Sequence, residues 1–236
     1  MLPIAILAGG LATRLGDLTR DKPKSLIEIF GKPFVDWQLE LLKKNGYSNV
    51  ILCLSHKSMA IQEYLGDGSR YGIQIRYSID GSTQLGTGGA IKKALPLLGK
   101  EFAVLYGDSY LPTDFWPIEE FFRKSSCLAV MAIYKNVNQF DKSNVELQSE
   151  GYLKYEKNQQ SSKMNFIDYG LTYYRNSAFD QFESREAFDL AEVCRELSSR
   201  NQLQGVEVLE RFYEIGSLSG IADFTEFLGK ANHEFQ

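Results

Sequence analysis

The chain has 236 residues, 44% of them hydrophobic and 24% charged, with a formal net charge of −4. That length and balance suit one large globular domain with a sizeable core, and the negative sign excludes a protein held to nucleic acid by clustered positive charge. No apolar run approaches the ~20 residues of a membrane span, and the N-terminal run carries neither a basic leader nor a cleavage site, so a cytoplasmic protein is expected.

The first predicted element is a strand over 3–7, an apolar run ending in Gly9-Gly10, with Thr13, Arg14 and then Lys24 close behind. Glycine amides can touch phosphate oxygens with no side chain in the way. Thr13 adds a donor, Arg14 a planar and permanently charged fork, and Lys24 a point charge on a flexible stem. The segment reads as a phosphate cradle delivered by a buried strand. It fits neither the Walker loop, with its Lys-Ser/Thr directly after the second glycine, nor the G-x-G-x-x-G of dinucleotide sites.

A helix follows over 34–45, with Phe34, Trp37, Leu41 and Leu42 as its core stripe and Gly46 beyond its end. Strands over 49–54 and 73–78 flank a helix over 57–65, and a helix over 88–98 precedes a strand over 102–106. This alternation is the pattern of a parallel sheet with crossover helices. Beyond Asp108, strands are predicted near 127–134, 143–147, 152–156 and 167–174, a polar loop at 157–165, and helices near 187–199 and 218–230. Cys53, Cys127 and Cys194 are odd in number and far apart, which suits reduced core thiols, and two histidines leave little for a His-based nucleophile system.

Ligands of open parallel sheets lie beyond the carboxyl ends of the strands. That rule singles out Ala8-Gly9-Gly10, Leu85-Gly86-Thr87-Gly88-Gly89-Ala90 and Tyr106-Gly107-Asp108-Ser109. In the second, glycines open a helix and let backbone approach a flat ring or a phosphate. In the third, a carboxylate stands at a sheet edge, where it either caps a helix or binds Mg²⁺. Magnesium takes one or two carboxylates with phosphate oxygens and water, so a second acid belongs elsewhere in the chain.

Taken with Lys24, the run from Leu7 to Leu15 resembles the signature of the sugar-1-phosphate nucleotidyltransferases, and further motifs follow in that family's order to about residue 230. These enzymes join a nucleoside triphosphate (NTP) to a sugar 1-phosphate and release pyrophosphate. The resemblance implies an α/β fold of Rossmann-like, three-layer α/β/α, GT-A-like type with a predominantly parallel mixed central sheet. It implies a single domain, 1–236, whose residues 1–110 mainly bind nucleotide and 111–236 mainly bind sugar. Nucleotide contacts are implied for Leu7, Ala8, Gly9, Gly10, Thr13, Arg14, Gly86 and Thr87, with Asp80, Ser82 or Gln84 reading the base edge.

Phe212-Tyr213-Glu214-Ile215-Gly216-Ser217 resembles the family's Asp-Ile-Gly-Thr motif, which implies that Glu214, in place of the usual Asp, shares Mg²⁺ with Asp108. Tyr155-Glu156-Lys157 resembles the aromatic-Glu-Lys-Pro motif, with Asn158 at the proline, and implies Glu156 for sugar hydroxyls and Lys157 for the sugar phosphate. Asn144 and Gly170, in Asn144-Val145-Glu146 and Asp168-Tyr169-Gly170, resemble positions lining the sugar pocket. Arg14, Lys24 and Asp108 form the implied catalytic set. Gly16-Asp17 stands where many relatives have Arg-Pro, which removes one positive charge near the phosphates.

Within the family, the single-domain length, the run from Gly66 to Gly72 and the Leu-Gly-Thr-Gly-Gly-Ala segment look most like the heptose 1-phosphate guanylyltransferases, which favours GTP. A uridylyltransferase or cytidylyltransferase is the alternative. A non-catalytic sensor of nucleotide or NDP-sugar is the rival of another class. Neither nucleic acid nor membrane is an expected partner, and a homo-oligomer is left open.

Overall fold

β1 (Ile4–Leu7) sends Ile4 and Ile6 to one face of the sheet and Ala5 to the other, and that alternation sets the layering of the protein. The structure is a computed structural model that describes residues 1–10, 15–16, 22–55, 58–81, 83–158 and 161–233, the last three by backbone alone. A short hairpin, β2 (Glu28–Ile29) with β3 (Lys32–Pro33), leads into α1 (Phe34–Lys44), β4 (Asn49–Leu54), α2 (Ser58–Leu65) and β5 (Gln74–Ile79). α3 (Gly86–Leu98), β6 (Glu101–Tyr106), β7 (Ser109–Tyr110) and α4 (Trp116–Lys124) come next. β8 (Ala129–Lys135), β9 (Val145–Leu147), β10 (Leu153–Tyr155), β11 (Phe166–Arg175), α5 (Leu190–Ser199), β12 (Leu203–Val208), β13 (Tyr213–Glu214) and α6 (Leu218–His233) complete the chain.

β5, β4, β1 and β6 pair in that order, all parallel. The sheet continues through β11, which runs antiparallel to β6 and to β8, and β12 adds parallel to β8. β9 and β10 extend it beside the start of β11. α1, α2 and α4 cover the face that holds Ile4 and Ile6, and α3 and α5 cover the face that holds Ala5. The result is a three-layer α/β/α arrangement. Each leucine or isoleucine fully buried in these layers contributes about 1.5–3 kcal/mol.

The strand order places the site. The step from β1 through α1 reaches β4 on one side, whereas the crossover through α3 reaches β6 on the other side of β1. The direction of winding therefore reverses between β1 and β6, where Leu7 and Tyr106 are register partners at the carboxyl ends. A crevice is expected at such a reversal. A third apolar cluster, built from Ile29, Phe34, Ile215, Phe224 and Leu228, seats α6 against the hairpin and α1, and so carries β13 back to this end of the sheet.

The first-half strands and helices lie within about two residues of their sequence expectation, the usual uncertainty of element ends. The two-residue strands β2, β3, β7 and β13, together with α4 and β12, carry no prediction. In α4 the neighbouring Phe121 and Phe122 blur the helical period, since only Phe122 is buried. In β12 Gly205 breaks the apolar run because Leu153 occupies its side-chain space: a Cβ there would lie 2.6 Å from a Leu153 methyl carbon. The predicted loop at 157–165 holds no helix or strand among its described residues. No helix among the described residues is long and apolar enough to cross a membrane.

Candidate active site

A cleft of about 460 Å³ opens at the β1/β6 reversal, and all three strand ends singled out in the sequence line it, through residues such as Gly9, Thr87 and Asp108. The Ala8 amide extends the ladder to the Cys53 carbonyl at 3.0 Å, and the Gly9 carbonyl accepts the Ser55 hydroxyl. Gly107 is what allows the two strand ends to close up. Its amide donates to the Leu7 carbonyl at 3.1 Å, and a Cβ on it would sit 2.4 Å from that same oxygen and 2.9 Å from the Ala8 Cα. Gly107→Ala is therefore expected to wedge β1 from β6, with a loss of about 1–3 kcal/mol in urea unfolding and a weaker grip on nucleotide in a binding titration.

Beneath the turn lies Gln38, fully buried in the stripe of α1. Its amide donates to the carbonyls of Tyr106 at 3.1 Å and Ser109 at 2.8 Å, which fixes both ends of the Gly107-Asp108 turn. Gln38 carries no sequence prediction, although a glutamine within the stripe of Trp37 and Leu41 is the signal that could have found it, because a buried polar side chain needs a partner.

Lys24 reaches across the cleft mouth to Asp108, with Nζ 2.6 Å from Oδ2 and side-chain exposures of 18% and 36%. β13 pairs antiparallel with β7 so that Glu214 faces Ser109, and the Ile215 amide donates to the Asp108 carbonyl at 2.9 Å. Asp108, just before β7, and Glu214, in β13, are more than 100 positions apart in sequence and are brought to neighbouring stretches of backbone by this pairing. Gly216 lies beside the ion pair, its Cβ direction 3.6 Å from Lys24 Nζ and 3.8 Å from Asp108 Oδ2. Thr13, Arg14 and Ser82 lie outside the described residues.

The Leu85–Ala90 segment opens α3, and its glycines Gly88 and Gly89 are closely approached by the chain itself. A Cβ on Gly88 would meet the Phe188 ring at 2.4 Å, and one on Gly89 the Glu186 carbonyl at 2.3 Å. The amides of both donate to the Phe188 carbonyl, at 2.9 and 3.3 Å. These two close approaches are made to the chain itself, because the segment before α5 lies directly on the start of α3. Gly86 and Thr87 still line the cleft, as do Asp80 and Gln84. Asp80 ends the β5 ladder, its amide 2.8 Å from the Leu54 carbonyl, and burial raises its carboxyl above the ordinary value.

Asn144, Glu156, Lys157 and Gly170 do not line this cleft and gather next to it. The Asn144 side chain accepts the Asp168 amide at 3.0 Å, and its carbonyl accepts the Glu156 amide at 3.0 Å. Gly170 sits with φ +99° in the irregularity of β11 between Asp168 and Thr172. Glu156 pairs with Arg195 at 3.2 Å. Lys157 Nζ lies 2.7 Å from Asp189 Oδ2, and Asp189 caps α5 and accepts the Thr87 hydroxyl at 2.8 Å. Asp189 carries no sequence prediction, since its side-chain partners are remote in sequence, Thr87 in the first turn of α3 and Lys157 in a loop. Burial alone would raise its carboxyl, but the bonds from Lys157, the Ala191 amide and Thr87 hold it below the ordinary value.

Asp168 behaves in the opposite way. Burial raises its carboxyl to about 6, against the lowering effect of the Gly170 amide at 2.9 Å and the Tyr106 hydroxyl at 3.3 Å. Between about pH 4 and 6 the folded state therefore holds a proton that the unfolded state has released, and stability falls as pH rises through that window. Asp168→Asn keeps the shape and removes the charge. The variant is expected to match the parent at pH 4 and to exceed it by roughly 1–3 kcal/mol at pH 7 in paired urea titrations.

A protein-family model described as nucleotidyl transferase matches residues 4–231. Over 212 residues the chain is 33% identical to the D-glycero-alpha-D-manno-heptose 1-phosphate guanylyltransferase of Campylobacter jejuni, covering 89% of this chain and 93% of that one. Over 230 residues it is 30% identical to the N-acetylmuramate alpha-1-phosphate uridylyltransferase of Neisseria meningitidis, covering 95% and 97%. Its fold matches the solved inositol-1-phosphate CTP transferase of T. maritima with a TM-score of 0.81 at 20% identity, over 98% of this chain and 96% of that one.

Proposed function

The chain belongs to the nucleotidyl transferase family, and on that premise we propose that it condenses GTP with a heptose 1-phosphate to give a GDP-sugar and pyrophosphate. The supporting observation is the Lys24–Asp108 ion pair at the β1/β6 reversal, with the strand that carries Glu214 bonded to the same turn through the Ile215 amide. The first half of the chain would hold the nucleotide and the second half the sugar.

An oxygen of the sugar 1-phosphate attacks the α-phosphorus in line, and the bond to the β-phosphate breaks with its electron pair leaving on pyrophosphate. The nucleophile is already an anion, so positioning and charge neutralisation replace a general base. Lys24 would bridge the α-phosphate and the departing pyrophosphate, Arg14 would hold the β and γ groups, and Lys157 would orient the attacking phosphate. The Leu7–Gly10 backbone and the Gly86-Thr87 turn would flank the nucleotide, while Asn144, Glu156 and Gly170 would shape the sugar pocket.

Asp108 and Glu214 suit Mg²⁺, being hard carboxylates just before β7 and in the β13 strand paired with it, and Asp108 already accepts a cation in the form of the Lys24 ammonium. When bound, the metal supplies neutralisation of the α-phosphate charge. The preference for GTP rests on Asp80, whose two acceptor oxygens match the adjacent N1–H and N2–H donors of guanine, and on likeness to the Campylobacter jejuni protein.

Crossing GTP, UTP, CTP, dTTP and ATP with a panel of sugar 1-phosphates and following pyrophosphate tests this reading. Fastest release is expected for GTP with D-glycero-α-D-manno-heptose 1-phosphate. A preference for UTP with an amino-sugar 1-phosphate would replace the substrate pair and keep the reaction. Nucleotide binding with no pyrophosphate from any pair would overturn the reaction itself in favour of a sensor.

A further inference from the structure

We propose that Asp189 is a positioning residue, resting on the reading above, which holds the Lys157 ammonium in place for the second phosphate and ties it to Thr87 in the wall of the nucleotide cleft. Groups from three elements converge on this carboxylate. Oδ1 accepts the Ala191 amide at 3.0 Å and the Thr87 hydroxyl at 2.8 Å, and Oδ2 accepts Lys157 Nζ at 2.7 Å.

Capping α5 does not require the charge, because serine and asparagine cap as well as aspartate. Stability does not require it either: the Lys157 and Asp189 side chains are 53% and 45% exposed, and ion pairs of that exposure contribute little. The charge is used on Lys157, whose long stem otherwise spreads over many rotamers. An ammonium has three donors, so one bond to Asp189 leaves two for a phosphate.

Thr87 completes the link. Its oxygen accepts the Leu190 amide at 2.8 Å, which directs its own proton toward Asp189. Thr87 lines the cleft, so the wall of the nucleotide pocket and the lysine beside it share one carboxylate.

Asp189→Asn keeps the cap and the acceptor for Thr87 while removing the charge. It is expected to lower kcat/KM for the sugar 1-phosphate about tenfold or more, by analogy with supporting residues around other sites, with KM for GTP and the melting temperature nearly unchanged. Lys157→Met is expected to do the same, and the double variant to be no worse than Lys157→Met alone. Asp189→Ser, a cap too short for Lys157, provides the second variant should the first fold poorly.

A calorimetric titration with inorganic phosphate, on protein saturated with an α,β-imido analogue of GTP, reads the same link without turnover, and phosphate binding should weaken alike in Asp189→Asn and Lys157→Met. Parent-like phosphate affinity and kcat/KM in Asp189→Asn, or losses that multiply in the double variant, would overturn the inference. A parent protein that releases no pyrophosphate with any pair defeats the proposed reaction instead, and the phosphate titration then decides the role of Asp189 by itself.

Discussion

Asp108→Asn is expected to lower kcat by about two to three orders of magnitude, the usual consequence of removing one preorganised electrostatic partner of a charged transition state. The substitution preserves shape, and the backbone carbonyl still accepts the Ile215 amide, so the β7–β13 ribbon that carries Glu214 should persist. What disappears is the negative charge opposite Lys24 and one of the two acids proposed for the metal. Steady-state kinetics beside a melting curve separate the two kinds of damage. A variant that keeps near-normal turnover would remove Asp108 from the mechanism, and one that melts much earlier than the parent would make its role structural.

Lys24→Met should cost a similar two to three orders of magnitude. Methionine fills the volume of the mostly buried stem and removes the cation proposed to bridge the α-phosphate and the departing pyrophosphate. Lys24→Arg is expected to recover little of the loss, because a planar fork cannot take the place of a compact ammonium 2.6 Å from Asp108. Single-turnover rates at saturating GTP check the claim: a loss confined to KM, with kcat intact, would mean that Lys24 binds the nucleotide without assisting the step.

The parts of this architecture that could be read from sequence are those set by local pattern. β1, β4 and β6 are continuous apolar runs because parallel strands are buried on both faces, and the residues just past their ends are the ones that line the cleft. The expectation that Asp108 and Glu214 share a metal came from motif resemblance alone, since the two-residue ribbon that sets Glu214 opposite Ser109 has no periodicity to detect. Gln38 and Asp189 escaped notice because their partners are remote in sequence: Gln38 bonds to carbonyls at 106 and 109, and Asp189 to side chains at 87 and 157. The glycines of the Leu85–Ala90 segment were visible as residues whose backbone something must approach closely. That the approaching group is the chain itself, at Phe188 and Glu186, depends on how α5 packs on α3, which no local pattern encodes.

Phosphorus NMR of the wild-type protein with GTP, D-glycero-α-D-manno-heptose 1-phosphate and Mg²⁺ tests the central claim most directly, since it resolves every phosphate in the mixture. Attack at the α-phosphorus predicts one pyrophosphate for each GDP-sugar formed and no loss of GTP when the sugar phosphate is omitted. Release of orthophosphate, or an unchanged GTP spectrum under conditions where the nucleotide is bound, would contradict it.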